Sequence, residues 1–205
     1  PPATPADTQG AERADYSFAK AEAERALLAL NKSRALPVTI QRPGVVIGEG
    51  TSPFHSGVGL FNNEQHCIGW SSGRNPLPFV LVEDCADAIL CALKADVIGR
   101  TDNIVGPVRL TAREYIRELA EALHRPLVYH PGAVWRMQGV EIAKWLIKRI
   151  GGRSVPWPSA RDLKSRGMPA RFDTSQTEAV LNWHPVADRA TFIERGIAAP
   201  ARGLM

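Results

Sequence analysis

The stretch Asp15-Tyr16-Ser17-Phe18-Ala19-Lys20-Ala21-Glu22-Ala23-Glu24-Arg25 decides how the rest of this 205-residue chain is read. On a helix, a four-residue spacing places the Tyr16 phenol and the Lys20 ammonium on one face. A fixed cation beside a phenol favours the phenolate, and such a pair can take up or return a proton at a sugar or alcohol oxygen. The spacing alone is a weak signal, so its meaning rests on what surrounds it.

Working outward, the pattern predicts a helix over 15–32 with Ala19, Ala23, Ala26, Leu27 and Leu30 as an apolar stripe. Residues 38–41 read as a strand, 42–53 as a loop, 54–61 as a short helix, and 67–70 as a strand ending in the polar turn 71–76. A strand over 79–82 leads to a helix over 84–95 with Asp84 as its N-cap. Short strands are expected over 103–105 and 108–110. Thr111, with Glu114 three residues on, has the form of a capping box for a helix ending near His124. After a strand over 127–130, a long helix over 133–150 stops at Gly151-Gly152. Residues 153–171 read as loop with one helical turn near 159–164. Asp173-Thr174-Ser175 caps a helix through Leu181, and a last helix covers 186–198. The alternation of helices and short strands makes the chain α/β.

Four segments then carry a resemblance. They are the helix with Tyr-x-x-x-Lys; the strand and Pro-Gly loop Leu36-Pro37-Val38-Thr39-Ile40-Gln41-Arg42-Pro43-Gly44-Val45-Val46-Ile47-Gly48; the run Phe79-Val80-Leu81-Val82-Glu83-Asp84-Cys85-Ala86-Asp87-Ala88; and Phe172-Asp173-Thr174-Ser175 with Leu181-Asn182-Trp183-His184-Pro185. In this order they resemble the extended short-chain dehydrogenase/reductases, the NAD-dependent epimerase/dehydratase group, over residues 14 to about 198.

The resemblance implies the C-terminal part of a Rossmann-type fold with a smaller mixed α/β substrate lobe. Residues 1–47 would end the Rossmann domain, 48–82 and 106–205 would form mainly the substrate lobe, and 83–105 would return a helix and strand to the main sheet. Residues 38–41 and 103–105 would be its parallel strands. The resemblance also implies Tyr16 as acid/base and Lys20 as its partner on the nicotinamide ribose. Pro43, Gly44 and Val46 would pack on the nicotinamide side, with NAD or NADP as cofactor. The substrate would be a small molecule with a hydroxyl or carbonyl, a sugar that is nucleotide-linked in many members. The Tyr16 helix would pair with a second subunit, giving a homo-oligomer.

The family's opening strand and Gly-x-x-Gly-x-x-Gly turn, which hold the cofactor pyrophosphate, have no counterpart before Tyr16, where the fifteen residues 1–15 read as Pro- and Ala-rich loop. Gly48-Glu49-Gly50 and Gly57-Val58-Gly59 follow no such pattern and read as flexible loop. The chain therefore reads as the C-terminal three-fifths of an enzyme, expected not to bind dinucleotide on its own. The alternative of another class is a non-catalytic fragment that folds and self-associates. Many nucleotide-sugar members carry an Arg before the Phe-Val-x-Val strand, where this chain has Asn75-Pro76-Leu77-Pro78. Arg74 and Arg171 are the candidates to grip a phosphate in its place, with a plain surface role as the competing reading.

Composition sets bounds. With 44% hydrophobic and 22% charged residues and a formal charge of +4, the chain can bury one sizeable core or two small ones. It has no apolar run of eighteen residues, and its Pro-rich start lacks a basic-then-apolar leader. Cys67, Cys85 and Cys91 form no C-x-x-C pair and read as small hydrophobes of a reducing compartment, so a cytoplasmic location is expected. The five His lack ligand spacing, and no metal is expected. Charge concentrates in 133–171, where nine basic residues face two acids. Three readings of that lobe stay open: solvated charges over a packed stripe, an anionic substrate, or an anionic membrane surface under Trp135, Ile142, Trp145 and Leu146. Nucleic acid ranks last, for want of any recognition motif.

Overall fold

A computed structural model of the chain describes residues 15–158 and 160–204. Residues 1–14 of the loop expected over 1–15, and the Ser159 start of the helical turn, lie outside these residues.

Helix α1 (Asp15–Arg34) is followed by one extended run that changes partner halfway, as β1 (Ile40–Pro43) and β2 (Val45–Ile47). Strand β1 lies parallel to β6 (Thr101–Ile104), with Ile40 opposite Thr101. Strand β2 lies parallel to β5 (Phe79–Leu81), with Val45 opposite Phe79. The exchange happens at Gly44, whose N–H donates to Ile104 O at 2.9 Å, while the next N–H, of Val45, donates to Pro78 O at 2.7 Å. A Cβ at position 44 would stand 1.9 Å from that Pro78 oxygen, so only glycine lets the two backbones pass. The loop expected over 42–53 thus holds a crossing and a short strand.

Strand β5 runs without a loop into α2 (Val82–Lys94). Asp84 is not the N-cap expected of it. Leu81 occupies that position without a side-chain bond, and the Asp84 carboxylate instead accepts the Val186 N–H at 3.0 Å. Burial pushes its carboxyl above the usual range, against the pull of that N–H. Because Asp84 holds its proton more tightly folded than unfolded, it contributes stability below the ordinary carboxylate range that is lost as pH rises through its raised value. Asp84→Asn keeps an acceptor for Val186 without the charge, so its Tm at pH 7 should equal or exceed the parent's. Asp84→Ala orphans the N–H and should cost about 1–3 kcal/mol. Thermal denaturation of both variants checks this, and an Asn variant as weak as the Ala variant would show that the charge itself stabilises.

The second lobe is built on β4 (His66–Gly69), antiparallel to β3 (Gly59–Asn62) and parallel to β7 (Val128–His130). The helix expected over 54–61 does not form. Gly59 packs where a Cβ would lie 2.6 Å from Cys67 Sγ, and Asn63 and Glu64, both with φ near +50°, turn the chain back as a hairpin. Two left-handed residues suit the twist of paired strands. The strand expected over 108–110 reduces to a single bridge between Pro76 and Thr111. The facing Pro76-Leu77-Pro78 offers one N–H, that of Leu77, which donates to Leu110 O at 2.9 Å.

Helix α3 (Ala112–Ala122) starts on the expected capping box, and α4 (Val134–Ile150) ends at Gly151. Helix α5 (Ala160–Gly167) is longer than the one turn expected. Helix α6 (Ser175–Leu181) ends on left-handed Asn182, and Asp173 accepts the Ser175 N–H at 3.0 Å. The last helix begins at α7 (Arg189–Ile193) rather than at Val186, because Asp188 caps it by accepting the Thr191 N–H at 2.7 Å. It then widens into a π turn at 194–198 and continues as α8 (Ala199–Arg202). The widening falls at Gly196, where a Cβ would meet Ile47 Cδ1 at 2.8 Å and Leu81 Cδ2 at 3.0 Å.

Strand β5 divides the core. Phe79 and Leu81 point into a cluster with Tyr115, Leu119, Phe192 and Ile197, while Val80 points into one with Ala88, Ile104, Leu181 and Trp183. Burial raises the Cys67 thiol to about 12 and pushes Cys85 up as well, as befits small apolar packing residues. Among the described residues no helix is long and apolar enough to cross a membrane.

Candidate active site

Tyr16 is 73% exposed on α1, and Lys20 Nζ stands 5.7 Å from its ring centroid. The next residue on that face, Glu24, is held by Arg42. The Arg42 Nε donates to Glu24 Oε2 at 2.9 Å, and a second guanidinium nitrogen reaches Oε1. Tyr16, Lys20 and Glu24 are spaced four apart, so this ion pair fixes the rotation of the Tyr16–Lys20 face relative to the residue that precedes Pro43. Neither Glu24 nor Arg42 stood out from sequence, because their partnership spans 18 positions.

Beyond Pro43 and Gly44, Val45 forms part of the wall of a cleft of about 240 Å³. Trp70, Pro78, Tyr129, Arg166 and Phe172 also line it. The Arg166 guanidinium lies 4.8 Å from the Trp70 ring centroid. Arg113 lies 5.0 Å from that of Tyr129 and donates to Ser72 O at 2.8 Å. Burial and the neighbouring Cys67 raise the Tyr129 phenol to about 12, so it stays neutral at ordinary pH. Its hydroxyl lies 3.2 Å from Ser71 O, to which it donates. The half-buried Arg109 donates to Phe172 O at 3.3 Å and steadies the segment closing the cleft.

The Glu24–Arg42 pair ties the helix that carries Tyr16 and Lys20 to the strand that ends at Pro43. Arg74 and Arg171 are both exposed and outside the lining of this cleft. Arg166, counted in the basic lobe but not singled out, is part of it. The clue was its position in Arg166-Gly167-Met168-Pro169-Ala170, just upstream of the Phe172-Asp173-Thr174-Ser175 segment. Among the described residues no group of three or more His, Cys, Asp or Glu could hold a metal ion.

Parallel strand pairs flanked by helices, with a Tyr-x-x-x-Lys helix ahead of a Pro-Gly crossing, suit a Rossmann-type α/β protein. The model of the NAD dependent epimerase/dehydratase family matches residues 2–106, about half of the chain, and the chain belongs to that family. It is 27% identical over 174 residues to a UDP-glucose 4-epimerase of Vibrio cholerae, covering 83% of this chain and 49% of that protein. The chain therefore spans about half the length of the curated relative it matches. It resembles the UDP-glucuronic acid 4-epimerase of Bacillus cereus in complex with UDP-glucuronic acid and NAD, with a TM-score of 0.61 and 16% identity over 93% of this chain and 53% of that one. The structure of RMD from Pseudomonas aeruginosa complexed with NADPH gives a TM-score of 0.63 and 17% identity over 94% and 58%. These likenesses place the fold among the extended short-chain dehydrogenases.

Proposed function

We propose that this chain carries the proton-transfer and substrate-holding part of an NAD(P)-dependent epimerase, dehydratase or reductase acting at a hydroxyl or carbonyl of a sugar, nucleotide-linked or free. The observation that supports this most is the Tyr16–Lys20–Glu24 face, tied by Arg42 to the crossing that opens into the cleft. Tyr16 would take the proton from a substrate hydroxyl or return it to a carbonyl oxygen. Lys20 would stabilise the developing phenolate by its charge and hold ribose hydroxyls. NAD or NADP, when bound, accepts and returns the hydride. The donors of this chain fit one end of that cofactor: a phenol, an ammonium and the backbone around Pro43, Gly44 and Val46 suit a ribose and a carboxamide. No glycine-rich turn between strand and helix stands among the described residues to suit its pyrophosphate. Arg166 on the cleft wall, and Arg74 and Arg171 beside it, would meet the negative charge of a phosphorylated substrate. Residues 1–47 and 83–105 would belong to the cofactor side, and the remainder mainly to the substrate side. Assaying the intact enzyme with NAD and NADP against a panel of nucleotide hexoses and free sugars tests this. Conversion of at least one supports the reading, and none with either cofactor would leave the non-catalytic alternative standing.

We further propose that α1 pairs with a second copy. Ala19, Ala23, Ala26, Leu27 and Leu30 all stand exposed along it, and two-fold pairing would set the stripe against itself. Two leucines per chain are worth about 3–6 kcal/mol before association costs, so Leu27→Asp should turn a dimer into monomers in sedimentation. A monodisperse parent monomer at micromolar concentration would refute this.

A further inference from the structure

Helix α4 buries none of its 17 residues, although more than half of them are apolar. Its inward face makes a few contacts, through Trp145 and Gln138. Trp145 packs edge-on against Trp157 at 4.9 Å and donates its indole N–H to Val155 O at 3.1 Å. Gln138 donates to Pro158 O at 2.7 Å. At about 100° per residue, Trp135, Val140, Leu146, Ile147 and Ile150 fall on the opposite side within an arc of about 140°. Trp135 is 72%, Ile147 71% and Ile150 85% exposed, while Val140, with Arg136 and Lys144, also lines a cleft against Leu60, Ile68 and Trp70. An apolar stripe turned outward is the reverse of an ordinary surface helix, whose outer face is polar.

Cations rim this arc. Lys144 and Lys148 follow one edge and Arg149 the other, while Arg136 lies within it, its guanidinium 5.1 Å from the Trp135 ring centroid. Glu141 is the helix's one acid and is paired with Lys144 at 2.9 Å. Arg153 follows just past the C-terminal end. Apolar side chains between basic edges complement a surface that offers hydrocarbon beneath negative charge. A second copy fits worse, because an isologous contact would set each basic rim against its own kind.

We propose that α4 lies flat on an anionic lipid bilayer, with Trp135, Leu146, Ile147 and Ile150 in the acyl boundary and Arg136, Lys144, Lys148 and Arg149 on the lipid phosphates. The contact is peripheral, as α4 is too short of apolar length to cross. It stands independently of the enzymatic reading, since none of these residues touches the Tyr16–Lys20 face.

Flotation of the full chain with vesicles of phosphatidylcholine alone, or with about a quarter phosphatidylglycerol, tests it. Binding should be at least ~10-fold greater on the anionic vesicles and fall as salt shortens the screening length. Ile147→Glu with Ile150→Glu should reduce binding ~10-fold or more, both side chains being exposed enough to leave the fold intact by circular dichroism. Should that variant misfold, Lys148→Glu with Arg149→Glu must show the same loss. Failure of the unaltered chain to float with anionic vesicles overturns the proposal. So does binding indifferent to these substitutions, or a solution dimer that Ile147→Glu with Ile150→Glu splits, which would assign the face to a second copy.

Discussion

Tyr16→Phe should lower the turnover of the intact enzyme by about 10²–10⁴, the usual contribution of a positioned acid/base group. The substitution removes only the hydroxyl of a largely exposed ring, so the thermal midpoint should stay where it is. The Glu24–Arg42 pair provides a control with a different signature. Glu24→Gln leaves the phenol and ammonium in place but loosens the rotation of their face, so it should lower kcat less than Tyr16→Phe. Activity of Tyr16→Phe within a factor of a few of the parent's would show that the Tyr-x-x-x-Lys helix is not the proton carrier, whatever the family.

Trp183→Ala should cost about 3–5 kcal/mol, the range for truncating a large buried aromatic. Trp183 is 2% exposed in the cluster of Val80, Ala88, Ile104 and Leu181, and its indole N–H donates to Asp84 O at 2.9 Å. Alanine would leave a cavity and remove the indole donor from Asp84 O at once. A domain of this size commonly has only 5–15 kcal/mol in total, so urea denaturation should show either a midpoint displaced far downward or no cooperative transition at all. A shift under about 1 kcal/mol would mean that α2 and the 181–186 segment are held together by something else.

These two residues mark what could be read beforehand. Where the governing chemistry is local, the sequence was legible: the Thr111–Glu114 capping box, the Gly151-Gly152 stop, the Asp173 cap and the four-residue spacing of Tyr16 and Lys20 all act within one or two turns. The parallel pairing of 38–41 with 103–105 came from the resemblance rather than from any local signal, and the observed β1 and β6 follow it to within two residues. Elements that depend on distant partners were missed. Strand β2 is three residues long and exists because β5 lies beside it. The β3–β4 hairpin turns on Asn63 and Glu64 rather than on an Asn-Gly pair. Asp84 looked like a cap because its partner, Val186, is 102 positions away. In the candidate site the placing of Tyr16 and Lys20 on one helix face was legible, while the contacts of Glu24, Arg42 and Arg166 were not, since they are made only when the chain folds.

On the proposed function this chain would hold the proton-transfer face and the substrate cleft, while the dinucleotide's pyrophosphate needs a glycine-rich turn between strand and helix that does not stand among the described residues. Titrating the 205-residue chain with NADH and with NADPH, and following the cofactor fluorescence, tests this most directly. The expected result is no saturation through the micromolar range with either cofactor. Saturable micromolar binding would contradict the account and would mean that another loop of this chain holds the pyrophosphate.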